Sequence, residues 1–302
     1  MSIALLGSEG YLGTRLSQTL NQPNKKYDLC WFGNYNDDVI LKDFKDITVE
    51  ELSEFNAVIL LAGHSSVKMC TGDWHSAFNN NVRNFSDLVH KIEQTKKPIK
   101  LIFASSSSIY GNTKGTIADE EYHNAEFNNE YDASKHLVES CIKYSDIEWY
   151  GLRFGTINGY TPNLRSELMI NSMFWNAITS SKINVTNKSI YRSIVGVEDL
   201  CRAINTIVQS GTHSKRGFYN LSSFSLTVDE ISNYVSEYTG AKINYQQDIP
   251  NPYNFRITND KFKQEFSFKF NETLSSVVDG LGLNIAMIEN IQARNNHVQY
   301  WK

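Results

Sequence analysis

The stretch YDASK, residues 131–135, sets a tyrosine one helical turn ahead of a lysine. At a separation of four the two side chains share one helix face. An ammonium beside a phenol favours the phenolate and lowers the tyrosine pKa from its free value of about 10. Tyr131 is then a candidate to take or return the proton of an alcohol, with Lys135 tuning it. The same spacing also arises on solvated helices, so the surrounding residues must decide. A second candidate is GSEGYLG, with Gly7, Gly10 and Gly13 between an apolar run and a helical pattern. Glycine permits a tight turn and close backbone approach, and a helix N-terminus offers free N–H groups to a pyrophosphate.

Positioning these groups requires a strand before the glycines and a helix after them. SIALLG reads as a short buried strand, and YLGTRLSQTL as a helix with Leu12, Leu16 and Leu20 at helical spacing. YDLCWF, NAVILLAG, IKLIFASS and IEWYGLRF are further strand candidates. NAVILLAG is almost wholly apolar, as a strand covered on both faces should be. AFNNNVRNFSDLVHKIEQT is expected to be a helix burying Val82, Phe85, Leu88, Val89 and Ile92. YDASKHLVESCIKY is expected to be a helix whose apolar side carries Leu137, Val138 and Cys141. Alternation of strand and helix to about residue 160 predicts an α/β fold, a Rossmann-like doubly wound parallel sheet. Residues 1–160 form the expected dinucleotide-binding domain, with 190–210 returning to it. Residues 161–302 form a smaller C-terminal α/β domain for substrate. There LTVDEISNYVSEYTG reads as a helix stopped by glycine, and NYQQDIPNPYNFRITNDK as loop.

Composition narrows the classes. The chain has 302 residues, 41% hydrophobic and 21% charged, with a net charge of −4. That balance is ordinary for a globular protein and gives no basic footprint for nucleic acid. No apolar run approaches the roughly 20 residues that span a membrane, and MSIALLGSEG lacks the basic start of a signal peptide. Cys30, Cys70, Cys141 and Cys201 are scattered and the histidines dispersed. Reduced thiols, a cytoplasmic location and no metal site are therefore expected.

Together the motifs resemble the extended short-chain dehydrogenase/reductases, the family of NAD-dependent nucleotide-sugar epimerases and dehydratases, over nearly the whole chain. Gly7, Gly10 and Gly13 match GxxGxxG, and VILLAGHSS matches the strand that lays Leu61, Ala62 and Gly63 along the cofactor. Asn81 in NNNV, ASSSSIYG, Tyr131 with Lys135, LRFGTINGY, YRSIVGVEDL with Arg192 and Asp199, and YNLSS match in order. The resemblance implies a catalytic Ser106, four residues before Tyr110, holding the reacting oxygen. It places Tyr131 beside nicotinamide and substrate, and Lys135 on the cofactor ribose. Tyr11 and Leu12 in the glycine turn, and Asp43 and Phe44 flanking the adenine, join the cofactor set. The strand end CWFGNYND carries Gly33 and Asn34 where NAD-type members carry an acid. No arginine stands nearby for a 2′-phosphate and Asn34 can bond a ribose, so NAD is expected, with NADP left open.

Two further departures are Thr156, where many relatives carry Asn, and His64 after LAG. For the substrate, Arg192 is the favoured diphosphate ligand, because a guanidinium matches phosphate bidentately. Ser107, Ser108, Thr156, Arg165, Asn171 and Arg256 complete the expected substrate set, with Asn220 a weaker candidate. Dehydratases of this family carry an acid and a base, often Asp-Glu, where this chain has Ser107 and Ser108, so elimination is not expected. The expected activity is hydride exchange at a sugar carbinol, at C4 of a nucleoside-diphosphate sugar, giving an epimerase. A net 4-ketoreductase or C4 dehydrogenase is the alternative within the class, and a non-catalytic dinucleotide sensor is the alternative outside it. The resemblance also implies a homodimer through residues 81–94 and 131–144.

Overall fold

The computed structural model describes residues 1–29, 38–124, 126–211, 216–250 and 252–295. Seven strands form one sheet: β1 (Ile3–Leu6), β2 (Asn24–Asp28), β3 (Val39–Leu41), β4 (Ala57–Leu60), β5 (Lys100–Ser106), β6 (Glu148–Phe154) and β7 (Gly217–Leu221). Their spatial order is β7-β6-β5-β4-β1-β2-β3, and every neighbouring pair is parallel. This is the Rossmann-like sheet the alternation predicts. The order turns back at β1, between β2 and β4, so a crevice opens at the carboxyl ends of these strands.

β1 shows why its sequence is apolar throughout. Ile3 and Leu5 join one core, and Ala4 and Leu6 the other. The first core packs α1 (Tyr11–Thr19) through Leu12 and Leu16 against the sheet. The second packs α2 (Asn84–Gln94) through Phe85, Leu88, Val89 and Ile92, and α3 (Glu130–Ile142) through Val138 and Ile142. Each such fully buried aliphatic side chain contributes about 1.5–3 kcal/mol. Chain 74–94 is not one uniform helix. A π-helical turn, Asn79–Arg83, separates the helix Trp74–Phe78 from α2. Such turns concentrate at functional sites, and this one carries Asn80 and Asn81.

The expected apolar side of α3 is corrected by the structure. Leu137 is 36% exposed and Cys141 is exposed, while Asp132, Ser134 and Glu139 are buried beside Val138. The face turned inward is polar because each of those groups finds a buried partner, described below. In the C-terminal region, α4 (Met169–Ser180), α5 (Val197–Gln209) and α6 (Val228–Thr239) surround a three-stranded sheet of Thr156–Asn158, Tyr191–Gly196 and Phe224–Thr227. α5 packs its Leu200, Ile204 and Ile207 into the core shared with α1. α6 starts at a Thr227–Glu230 capping box and stops at Gly240 with φ +74°. The short strands Ile117–Ala118 and Arg256–Ile257 pair in parallel over a small core of Ile109, Tyr110 and Phe255. Among the described residues no helix is long and apolar enough to cross a membrane, and no cluster of His, Cys, Asp and Glu could hold a metal.

One packing contact makes stability depend on pH. Glu272 accepts the backbone N–H of Asp199 at 2.9 Å, and burial with the neighbouring Asp199 charge pushes its carboxyl up to about 7. A raised carboxyl favours folding while protonated, and that contribution fades as pH rises through the folded value. Stability should therefore fall from about pH 4.5 to about pH 7 by more in the wild type than in Glu272→Gln. Thermal melts of both proteins between pH 5 and pH 8 check this. Parallel profiles would show that Glu272 titrates at an ordinary value.

Candidate active site

The glycine turn is a cradle that side chains would fill. A Cβ on Gly13 would stand 2.0 Å from the Gly7 carbonyl oxygen, and one on Gly7, at φ +91°, 2.6 Å from the Ala62 nitrogen. Strand, turn and helix are thus closer than any other residue allows. Gly10 begins α1 with no side-chain cap, which leaves the first-turn N–H groups for an anion, and the Ser8 hydroxyl beside them is buried without a partner. These features fit the pyrophosphate of a dinucleotide. Leu12 packs into the core behind the turn. Tyr11 reaches the C-terminal region through its hydroxyl. Its hydroxyl donates to the Gly159 carbonyl at 2.6 Å and accepts from Asn171 Nδ2 at 3.2 Å, so its side chain is a strut to the C-terminal region.

Along the cofactor crevice, Leu61 and Ala62 donate their N–H groups to the Leu6 carbonyl at 2.8 and 3.0 Å, and Gly63 turns at φ +137°. Asn81 is spent within the protein. Its Oδ1 accepts the His64 N–H at 2.8 Å, and its Nδ2 donates to the His64 carbonyl at 3.1 Å and to Ser134 Oγ at 3.0 Å. It fixes the 63–64 loop against α3. Burial lowers the His64 pKa, so that ring stays neutral. Asp43 accepts from the Lys45 N–H at 3.2 Å and caps the turn Phe44–Asp46. Phe44, Ala62, Asn80, Asn81, Ala104 and Lys135 share one narrow cleft. Gly33 and Asn34 lie outside the described residues.

The expected catalytic residues lie at the end of β5 and on α3. Ser106 is the last residue of β5, and Tyr131 stands in the first turn of α3. Ser106 accepts the Ser108 N–H at 3.1 Å and lies 2.8 Å, Oγ to Oγ, from Ser108. Lys135 stands with Nζ 5.7 Å from the Tyr131 ring centroid and donates to the Ala104 carbonyl at 2.9 Å. The electrostatics correct the sequence expectation. Burial pushes Tyr131 up to about 12, with Ser106 pulling partly back, and burial pushes Lys135 down to about 8. Desolvation is the largest influence on the phenol in the chain alone.

The expected substrate residues divide into two groups. Arg192 donates to Thr156 Oγ1 at 3.1 Å and lies over the Phe255 ring, its Nε is buried without a partner, and among the described residues no carboxylate pairs with it. Burial lowers its pKa. Arg256 stacks on Tyr191 at 4.5 Å, donates to the Gly115 carbonyl at 3.0 Å and also has a buried unpaired Nε. Arg165 bridges Glu167 at 2.7 Å and Ser65 at 3.2 Å, and its charge favours the Tyr131 phenolate. Asn171 is not free for a base. Its Oδ1 accepts the Gly159 N–H at 3.0 Å and its Nδ2 bonds Tyr11 and the Arg165 carbonyl. Asn220 is likewise engaged, accepting from the Tyr110 hydroxyl at 2.8 Å and donating its N–H to Glu120 at 2.7 Å. Asp199 is structural, holding the backbone N–H groups of Asn271 and Glu272.

Residues 3–222 match the model of the NAD dependent epimerase/dehydratase family. The chain belongs to that family. It is 26% identical over 237 residues to a UDP-glucose 4-epimerase of Mycoplasma genitalium, covering 67% of this chain and 69% of that one. Its fold is that of the UDP-glucuronic acid 4-epimerase from Bacillus cereus, solved with UDP-glucuronic acid and NAD, at TM-score 0.83 and 18% identity over 95% of this chain and 100% of that one. It is equally the fold of TunA, an NAD dependent NDP-hexosamine 5,6-dehydratase, at TM-score 0.82 and 18% identity over 96% of this chain and 98% of that one.

In this epimerase/dehydratase-family chain, three groups invisible to motif reading support the site. Arg153 and Glu139 form a buried two-point ion pair at 2.9 and 2.7 Å, and Glu139 also accepts from Ser105 at 2.6 Å. Arg153 further donates to the Tyr110 hydroxyl at 2.7 Å, so the network grips the chain on both sides of Ser106–Ser108. The second group is Asp132, next to Tyr131 and only 1% exposed. The third is Tyr253, whose hydroxyl donates to Asp132 Oδ2 at 2.8 Å. The available signal was the burial-side polarity of α3: Asp132, Ser134 and Glu139 lie on the helical face that also carries Val138 and Ile142.

Proposed function

We propose that this protein is an NAD-dependent nucleotide-sugar epimerase that moves hydride at C4 of a UDP-hexose. The observation that carries the reading is the placement of Ser106 at the end of β5 and of Tyr131 with Lys135 on α3 beside the crevice, with Arg192, whose Nε is buried without a partner, across Tyr253. The identity to a UDP-glucose 4-epimerase supports the sugar and the carbon. The turn 7–13, Asp43, residues 61–63 and Lys135 would hold NAD, which when bound supplies the hydride acceptor and returns the hydride. Ser106 orients the carbinol oxygen and Tyr131 exchanges its proton. Arg192, with Thr156 orienting it, holds the diphosphate, and Arg165 and Arg256 flank it. A homodimer through residues 81–94 and 131–144 belongs to the same reading, supported by the exposed Leu137 and Tyr144 on that face.

Elimination is not part of the proposal. Ser107 is buried and Ser108 bonds Ser106, and neither hydroxyl replaces a carboxylate pair. Expelling water needs both an acid and a base. Incubation with UDP-glucose or UDP-galactose and either NAD or NADP tests all of this. Interconversion of the two sugars, with NAD and without net NADH, is the expected result. Stoichiometric NADH would give the reductase or dehydrogenase, a 4-keto-6-deoxy product the dehydratase, and cofactor binding without turnover the sensor.

A further inference from the structure

Residues 253–257 reach both ends of the proposed site. One end is that of the arginines. The Arg192 guanidinium lies over the Phe255 ring at 5.8 Å, and Arg256 belongs to the segment itself. Asn254 Oδ1 accepts the Tyr191 N–H at 2.9 Å, and Ser193 Oγ accepts the Ile257 N–H at 3.1 Å, so the segment is bonded to the Arg192 strand on both sides of that residue. The other end is α3. The Tyr253 hydroxyl donates to Asp132 Oδ2 at 2.8 Å and accepts from Asn129 Nδ2. Asn129 and Asp132 are also joined to each other. Asn129 Nδ2 reaches Asp132 Oδ2 at 3.1 Å, and Asn129 Oδ1 accepts the Asp132 N–H at 3.1 Å as the helix cap. Tyr131 therefore stands between the two residues that one hydroxyl holds. The Tyr253 ring packs on the small core of Ile109, Tyr110 and Phe255, the first two of which follow Ser106–Ser108 in the chain.

Resting on the substrate reading above, we propose that Tyr253 is a positioning residue that fixes the span between the guanidinium holding the diphosphate and the phenol exchanging the carbinol proton. A nucleoside-diphosphate sugar is gripped at its diphosphate and reacts across the sugar ring, at C4. The two protein groups it must meet stand on separate elements: Arg192 on the strand Tyr191–Gly196 of the smaller sheet, and Tyr131 on α3 beside the large one. Any slack between those elements becomes misplacement of the reacting carbon, and about 1 Å of misplacement costs up to about 10²-fold in rate. The Tyr253–Asp132 bond removes that slack. A tyrosine suits the link, because its ring is rigid and turns on only two side-chain torsions. Asp132, 1% exposed, serves as the anchor on the helix, with Tyr253 and Asn129 converging on its Oδ2. Tyr253 itself takes no proton from the substrate, since its hydroxyl is committed to Asp132 and Asn129.

The test compares kcat for interconversion of UDP-glucose and UDP-galactose with the Kd of UDP alone, which engages the arginine end without the sugar. Tyr253→Phe should lower kcat about 10–10²-fold and leave the Kd of UDP and of NAD unchanged. Asp132→Ala should match it. Asp132→Asn, which keeps an oxygen for the Tyr253 hydroxyl, should recover most of the loss. Tyr253→Phe combined with Asp132→Ala should cost no more than either alone, since both break one link. A merely structural role would lower the thermal midpoint and leave kcat per folded molecule where it was, and that result overturns the proposal. So does a UDP Kd that weakens in step with kcat, which puts Tyr253 in the diphosphate site. Asp132→Asn as slow as Asp132→Ala also overturns it, because charge and not the hydrogen bond would then be the cause. A wild type that fails to interconvert the two sugars overturns the substrate reading and the positioning role with it. An active wild type beside an unimpaired Tyr253→Phe overturns the positioning role alone.

Discussion

Tyr131→Phe is expected to lower turnover about 10²–10⁴-fold, the range of a general acid/base contribution, while cofactor affinity changes little. In activation free energy that is about 2.7–5.5 kcal/mol. The substitution is clean. Phenylalanine keeps the ring over which the Lys135 ammonium sits, and Ser106 retains its contacts to the Ser108 N–H and hydroxyl. No buried hydroxyl is left without a partner, so the folded protein should survive intact. What disappears is the hydroxyl proposed to exchange a proton with the substrate oxygen. Single-turnover rates with the interconverted sugars and calorimetric titration of NAD separate the two effects. Near-normal turnover would move the acid/base elsewhere in the crevice.

The sequence showed the scaffold more readily than the electrostatics. Apolar runs such as IALL and AVIL are legible as strands because both faces of β1 and β4 are covered, and a glycine triplet between strand and helix is legible because only glycine fits the close approach of Gly13 to the Gly7 carbonyl. Tyr131 and Lys135 were legible on one helix by their spacing, and Ser106 at the strand end by the family resemblance. Burial was not. A four-residue separation says that an ammonium is near a phenol, but the balance between its charge and desolvation depends on chain segments far away in sequence, and here desolvation prevails. Asn171 and Asn220 look like ligand groups in a string and prove to be joints, because their partners, Gly159 and Tyr110, arrive from other elements. Asp132 passed unnoticed for the opposite reason. An acid in the first turn of a helix is ordinarily solvated, and only the loop carrying Tyr253 buries this one.

Glu139→Ala should destabilise the protein by about 3–5 kcal/mol, because it strands a buried charge. Arg153 is 5% exposed, and it would lose both carboxylate contacts while Ser105 loses its acceptor. The cost is that of the unpaired guanidinium, not the net value of the pair, and this makes a discriminating second measurement available. Replacing both partners at once, Glu139→Leu with Arg153→Met, should cost much less than Glu139→Ala, since nothing charged is left behind. Urea midpoints of the single and double variants check this order. The double variant carries a further consequence. Arg153 also holds the Tyr110 hydroxyl and the Glu120 carbonyl, and Glu139 holds Ser105, so folded double-variant protein has lost the grip on both flanks of Ser106. Its kcat should fall even where its stability is recovered, because a reacting hydroxyl displaced by about 1 Å forfeits much of its advantage. A double variant as unstable as Glu139→Ala would show that packing, not charge pairing, dominates at this point. One that is stable and fully active would show that Ser106 is positioned by its own turn alone.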